Sequence, residues 1–534
     1  MNDVLIRIVA SLLIACLLCI STIKLLGGMQ QGGYKNGLFF KWLKRRDNMI
    51  FNRLCVLTLC LVLASAVTSL CFSFLGARSA LFISALPFIL LLISYCYSDS
   101  RYGLKVPLQA TGRIKRLFAV YVFFTACVAY LFMAALKFLA EWNGSEIYRL
   151  IAYTPFSVLV LLLSALLAAA NAVTGIFENA RNKKFVKRAG QVLDESNIIR
   201  VGIVGSYGKT SVKNILKTLL EEKYSVVETP SSYNTPMGIA KTVFSEAFAK
   251  KEVFIAEMGA RKAGDIAELC RLVKPDYAVF TGVCAQHIQT FGSVEAVFEE
   301  KSEILKSGVK CAICGESLEN LIKTKFPKAE NIRYAKQEQL KDVRFFATKT
   351  EAVLCLGGEE ISFSTSLLGE STLENILLAA SLAYEMGLTV TQIQEGLKKL
   401  SPIPHRLQLM ENAGVYILDD SYNCNPEGAK IALGALKRFE GRKCIVTPGI
   451  IEGGILEESI NKALGEDIAN AKLDKVILVG DTLIGAVKSG YVQADGEQEK
   501  ITVVSDLKGA QKELSAWLKA GDTVLFLNDL PDVY

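Results

Sequence analysis

The chain has 534 residues, long enough for three or four domains, and is 51% hydrophobic with a mean hydropathy of +0.33. Its net charge of +7 sits mostly beside apolar runs, and no basic stripe interleaved with aromatics occurs elsewhere, which excludes a nucleic-acid partner. The 14 cysteines are scattered without zinc spacing and read as reduced, structural thiols; "CAIC" at 311–314 has the spacing of a CxxC pair but reads as a buried strand.

Five apolar segments open the chain, at 4–26, 54–77, 79–98, 117–136 and 150–170. The last four run 20 to 24 residues without a charge, enough for a helix to cross about 30 Å of hydrocarbon. The first requires Arg7 to snorkel, and it lacks the small-residue cleavage site of a signal peptide. Basic residues collect between spans one and two (Lys35, Lys41, Lys44, Arg45, Arg46, Arg53), between three and four (Arg101, Lys105, Arg113, Lys115, Arg116) and after span five (Arg181, Lys183, Lys184, Lys187, Arg188). The positive-inside rule then puts the N-terminus outside and everything after residue 175 in the cytoplasm. The expectation is a multi-pass protein of the cell membrane: a five-span region at 1–175, a juxtamembrane linker at 176–197, and two cytoplasmic domains at 198–400 and 401–534.

From residue 198 the pattern changes to short apolar runs alternating with amphipathic stretches. "IIRVGIVGS", "VFIAEMG", "YAVFTGV" and "CAICG" read as parallel strands followed by helices, and "VYILDD", "KCIVTPG", "KVILVG" and "DTVLFLND" begin a second series. This is the signature of doubly wound α/β domains. "GSYGKTS" (205–211) joins the first strand to a helix, the setting a phosphate-binding loop needs. Gly205 and Gly208 let backbone N–H groups curl round phosphate oxygens. Lys209 can reach the β and γ phosphates, and Thr210 can hold Mg²⁺. Ser206 and Ser211 complete the nucleotide-contacting loop. The outer glycine is Gly202, where the generic pattern wants one at Ile203.

That spacing resembles the Mur ligase family, ATP-dependent amide-forming enzymes of peptidoglycan precursor synthesis, and further motifs follow in order. "SSYNTPMGI" (231–239), "EMGARKAGDI" (257–266), "HIQTFGSVEAVFEEKSEIL" (287–305) and "DDSYNCNP" (419–426) resemble family segments, the last being close to the signature of the branch that adds D-alanyl-D-alanine. The resemblance spans residues 198–534. It implies a P-loop doubly wound central domain and a C-terminal α/β Mur ligase domain behind the helical membrane bundle, with ATP and Mg²⁺ as cofactors. It also implies activation of a carboxylate as an acyl phosphate, which an incoming amine attacks. Charge has to be gathered there more than a nucleophile has to be supplied. By the same resemblance Glu257 holds Mg²⁺ with Thr210, and His287 and a carbamylated Lys301 hold a second ion. Asn375 lies near the adenine, Arg406 reaches the phosphates and Asp420 contacts the nucleotide. Tyr422, Asn423 and Asn425 position the amine.

The sequence departs from the family at Ser371-Thr372, which alters the adenine contacts, at Cys314-Gly315-Glu316, and at Asn528-Asp529, which bears on the acceptor more than on the ATP chemistry. The leading expectation is a ligase joining D-alanyl-D-alanine, or another dipeptide or amino acid, to a UDP-linked or lipid-linked cell-wall precursor, with membrane lipid as a further partner. Two alternatives stand beside it: a related ligase on a different lipid-linked envelope acceptor, and a non-catalytic nucleotide-responsive membrane protein. Scarcity of charge within the spans weighs against a transporter.

Overall fold

The computed structural model describes residues 2–44, 50–72, 89–90, 92–93, 107–143, 154–231, 233–284, 291, 293–422, 425–450, 456–480 and 483–528. The chain divides into two compact units that meet in sequence between Lys183 and Lys184.

The described part of the first unit is helical: Asn2–Ser21, Ile23–Gln31, Asn36–Leu43, Ile50–Phe72, Gly112–Asn143 and the start of Thr154–Glu195. Among the described residues three stretches are long and apolar enough to cross a membrane, Val4–Ser21, Gly112–Ala135 and one within Leu159–Glu195. They correspond to the first, fourth and fifth expected spans. The first ends at Ser21 and not at Leu26, because Thr22 leaves the helical region (φ −109°, ψ 28°). The second span lies partly in the helix Ile50–Phe72, and 79–98 falls almost wholly outside the described residues. Leu18, Leu25, Met29, Phe39, Leu61, Tyr121 and Leu163 form this unit's core. Leu5, Ile6, Leu13, Leu17, Phe123 and Leu131 turn their side chains outward, an apolar surface that suits lipid better than water. The expected linker 176–197 is mostly helix, since Thr154–Glu195 continues unbroken through it. Its last turns stay helical because Ala189 and Leu193 bury into the core of the second unit.

The second unit carries two six-stranded sheets. The first holds β1 (Ile199–Val204), β2 (Val226–Glu228), β3 (Val253–Glu257), β4 (Tyr277–Phe280), β5 (Cys311–Gly315) and β6 (Ile332–Ala335), in the order β2-β3-β1-β4-β5-β6. Every pairing is parallel. Parallel strands are covered on both faces and so read as near-continuous apolar runs; β3 and β5 are buried along their whole length. A small antiparallel sheet follows, β7 (Leu340–Phe345), β8 (Thr350–Leu356) and β9 (Glu359–Thr365). In β8, and in β9 from Glu360 onward, burial alternates residue by residue, as a one-sided sheet demands. The second large sheet orders β10 (Gln408–Asn412), β11 (Val415–Asp420), β12 (Lys443–Thr447), β13 (Lys475–Val479), β14 (Ile501–Val504) and β15 (Thr523–Leu527) as β10-β11-β15-β12-β13-β14, with only β10 antiparallel.

The eight runs read as strands in the sequence are β1, β3, β4, β5, β11, β12, β13 and β15. In the first sheet β1 lies between β3 and β4, so the chain leaves its C-terminal end at the point where the winding reverses. Open α/β sheets bind ligands at such a point.

Candidate active site

The loop after β1 is shaped by two glycines. Gly205 has φ +150° and Gly208 φ +74°, values at which an L side chain is strained. Space forbids a side chain as well. A Cβ on Gly205 would lie 1.9 Å from Thr281 Oγ1, and one on Gly208 2.5 Å from Asn375 Oδ1. Gly208 leads into the helix Lys209–Leu220, whose first-turn N–H groups face the loop. Thr281, fully buried at the end of β4, donates its hydroxyl to Tyr207 O, and Ser206 N–H donates to Gly282 O. The Ser206 hydroxyl is buried and has no partner among the described residues. A buried donor without an acceptor costs free energy, and here it sits on a loop built for anions.

Lys209 folds back onto its own loop, donating to Gly205 O at 2.7 Å and Ser206 O at 3.4 Å. Burial holds its pKa below the usual lysine value, with the Arg406 charge adding to the effect and Glu257 opposing it. Lys301 donates to the same Gly205 carbonyl at 3.0 Å. It is 2% exposed, and burial, reinforced by the charge of Lys209, pulls its pKa down to about 7. The neighbouring Glu300 accepts N–H bonds from Gly264 and Ile266 at 2.7 Å each, which pins the helix Val294–Lys301 and so aims Lys301 at the loop.

Glu257 ends β3 beside that loop. Its Oε2 accepts from Thr210 Oγ1 at 3.0 Å and its Oε1 from Asn234 Nδ2 at 3.3 Å. Its own N–H donates to Thr229 Oγ1 at 3.0 Å. Asn375, 7% exposed on the helix Glu370–Glu385, lies against Gly208. Gly205, Ser206, Gly208, Lys209, Thr210, Glu257, Lys301 and Asn375 are therefore brought together; Ser211 follows Thr210 in the same helix. His287 and Asn423 lie outside the described residues.

On the second sheet, Asp420 Oδ1 accepts the Leu407 N–H at 3.1 Å, and Asp419 Oδ2 lies 2.7 Å from His405 Nδ1. The Arg406 guanidinium stacks over the Tyr422 ring at 4.4 Å. Asn425 serves the fold directly, since its side chain accepts from Gly428 N–H at 2.7 Å and caps the helix Pro426–Lys437. Two residues that the sequence reading left unassigned also belong to this setting. Thr281 locks the loop, and Lys213, 1% exposed, lies 3.4 Å from Glu257. Lys213 carried a signal: it occupies the buried stripe Val212, Ile215, Leu216, Leu219 of its helix, where a lysine is out of place.

The model of the Mur ligase middle domain matches residues 203–383, and that of the Mur ligase glutamate ligase domain matches 405–528. The chain belongs to the Mur ligase family. It is 28% identical over 333 residues to the UDP-N-acetylmuramoyl-tripeptide–D-alanyl-D-alanine ligase of Bacillus subtilis, covering 61% of this chain and 72% of that one. To the ligase of the same name from Escherichia coli it is 28% identical over 292 residues, 52% and 64% of the two chains. Among solved structures, the MurF ligase of Thermotoga maritima in complex with ADP aligns with a TM-score of 0.58 at 29% identity, over 66% of this chain and 81% of that one. The folylpolyglutamate synthase of Mycobacterium tuberculosis, 16% identical with a TM-score of 0.52, shares the fold.

This Mur ligase is an ATP-dependent amide-forming enzyme whose cofactors are ATP and Mg²⁺. Its residues fit them. The glycine-shaped loop, the partnerless Ser206 hydroxyl and two lysines suit a polyphosphate, and the Thr210 hydroxyl against a carboxylate is the hard oxygen pair that Mg²⁺ takes.

Proposed function

We propose that this protein joins D-alanyl-D-alanine to the carboxylate of a muramoyl-tripeptide precursor, as the similar bacterial ligases do by name. In that reading the γ-phosphoryl passes to a carboxylate oxygen and ADP departs. The dipeptide amine then attacks the carbonyl carbon, losing a proton as phosphate leaves. Lys209 exchanges its contacts with Gly205 O and Ser206 O for the β and γ phosphates, while Gly205, Ser206, Gly208 and Ser211 line the phosphates. Thr210 and Glu257 hold Mg²⁺, which compensates the charge gathered between phosphoryl donor and carboxylate. Lys301 as a carbamate, with His287, holds a second ion. Arg406 and Asp420 bring the C-terminal domain to the nucleotide, Asn375 steadies the loop beside the adenine, and Tyr422, Asn423 and Asn425 form the amine side. The single observation that carries this reading is the meeting of Lys209, Lys301 and the Thr210–Glu257 pair around one glycine-shaped loop.

Residues 198–400 act in this reading as the ATP domain and 401–534 as the domain that brings the amine, with both on the cytoplasmic side. The three apolar helices favour a membrane-held enzyme and a precursor presented there in UDP-linked or lipid-linked form. Phosphate release by the full-length protein is the test. It should need ATP, a muramoyl tripeptide and D-alanyl-D-alanine together. Release that ignores the amine would leave a nucleotide-responsive protein that does not ligate.

A further inference from the structure

Lys213 lies one helical turn beyond Lys209, on the inner face of the helix Lys209–Leu220, and is 1% exposed. Burying an ammonium group is costly unless each of its donors finds an acceptor. Here there are three donors and three acceptors. Nζ donates to Thr229 O at 2.7 Å and Ser231 O at 2.8 Å, and lies 3.4 Å from Glu257 Oε2. The two carbonyls lie just beyond β2. The chain just after them supplies Asn234, whose Nδ2 reaches Glu257 Oε1 and whose carbonyl accepts the Gly259 N–H at 2.9 Å.

The carboxylate is thus held by Thr210, Lys213 and Asn234, from two elements. Thr210 has a second task, since its hydroxyl can offer a lone pair to the cation while its proton stays on Glu257. Lys213 and Asn234 are the anchors of the rotamer that take no part in binding the metal.

We propose that Lys213 is a positioning residue for the divalent cation: it fixes the Glu257 carboxylate and the 229–231 segment so that Mg²⁺ meets a preformed ligand. This rests on the reading of Thr210 and Glu257 as the Mg²⁺ ligands. Charge and position oppose each other here. A neighbouring cation on its own repels Mg²⁺, so its removal would tighten metal binding. A lost support loosens it, by typically ~10–100-fold for groups that orient a metal ligand. Position prevails if the carboxylate has no other anchor of equal strength, and Asn234 offers a neutral amide at 3.3 Å where Lys213 offers a full charge at 3.4 Å.

The experiment is calorimetric titration of the full-length protein in detergent with ADP, first without metal and then across a range of Mg²⁺. Lys213→Met should bind ADP without metal within about twofold of the parent, which also reports an intact loop, and its half-saturating Mg²⁺ should rise by roughly tenfold or more. Glu257→Gln should lose the Mg²⁺ enhancement of ADP binding altogether. If Glu257→Gln keeps that enhancement, the assignment of Glu257 as metal ligand fails. If it loses it while Lys213→Met keeps or lowers the parent's half-saturating Mg²⁺, the positioning role is overturned. Should Lys213→Met fail to bind ADP without metal, Lys213→Gln, which keeps one amide donor toward the 229–231 carbonyls, takes its place under the same criterion.

Discussion

Two lysines share one carbonyl at the centre of this site, since both Lys209 and Lys301 donate to Gly205 O. Two cations that close are sustained by burial of at least one in a less charged form, and Lys301, with a pKa of about 7, is that one. The sign of its effect on stability follows. Between pH 7 and the ordinary lysine value the unfolded chain holds a proton that the folded chain has shed, so stability climbs with pH across that window. Lys301→Met should flatten that climb, measured as denaturant midpoint against pH. A neutral amine is also what reacts with CO₂, so ¹³C-bicarbonate should give a carbamate carbonyl resonance that grows from pH 6 to pH 8 and is absent in Lys301→Met. Absence from the parent at pH 8 would leave Lys301 an unmodified loop lysine. Lys209 is expected to behave differently. Lys209→Ala should lower turnover at least ~100-fold through lost charge compensation while changing the melting temperature little, because its present partners are two backbone carbonyls of its own loop. The place of Lys209 was legible in the sequence because a phosphate loop needs fixed residue types at fixed spacing, whereas Lys301 was pointed to by the family resemblance alone. Lys213 was not assigned: its place on an apolar stripe was visible, but two of its three partners are backbone oxygens that no residue pattern announces.

Among elements, the strands that position the site were readable, and the edges were not. Residues in β1, β3 and β4 form long apolar runs because both faces are covered. β2 has three residues, and β6 and β14 are half-buried or exposed along most of their length, so no continuous apolar run marks them. The helix from Thr154 was legible as an apolar segment up to Ala170 and illegible beyond it, because charged residues read as linker until Ala189 and Leu193 are seen to pack. The loop between β1 and its helix makes a sharp prediction at this scale. Gly208→Ala must place a methyl group at φ +74° and 2.5 Å from Asn375 Oδ1. The backbone strain alone costs about 1–2 kcal/mol, and the methyl displaces Asn375. Thermal unfolding should fall accordingly, and ADP affinity should drop with it. A variant that binds ADP like the parent would show that the loop tolerates reshaping.

For the molecule as a whole, family and chemistry were readable because the motifs span both α/β domains in order, as the matches at 203–383 and 405–528 bear out. The Arg406–Tyr422 stack lies on the segment that enters the second sheet. Arg406→Ala should raise the KM for ATP more than it lowers kcat if that arginine brings the C-terminal domain to the phosphates; equal kinetics would place it outside the closed state. The three apolar helices predict that the full chain stays with membranes through an alkaline carbonate wash, whereas release into the supernatant would count against spanning. The central claim is a ligation, and ligation is read most directly by the product. Full-length protein incubated with ATP, Mg²⁺, UDP-N-acetylmuramoyl-tripeptide and D-alanyl-D-alanine should yield the muramoyl pentapeptide, seen by mass spectrometry, with one ADP and one phosphate formed per amide bond. ATP consumed with no pentapeptide, from either the UDP-linked or the lipid-linked tripeptide, would contradict it.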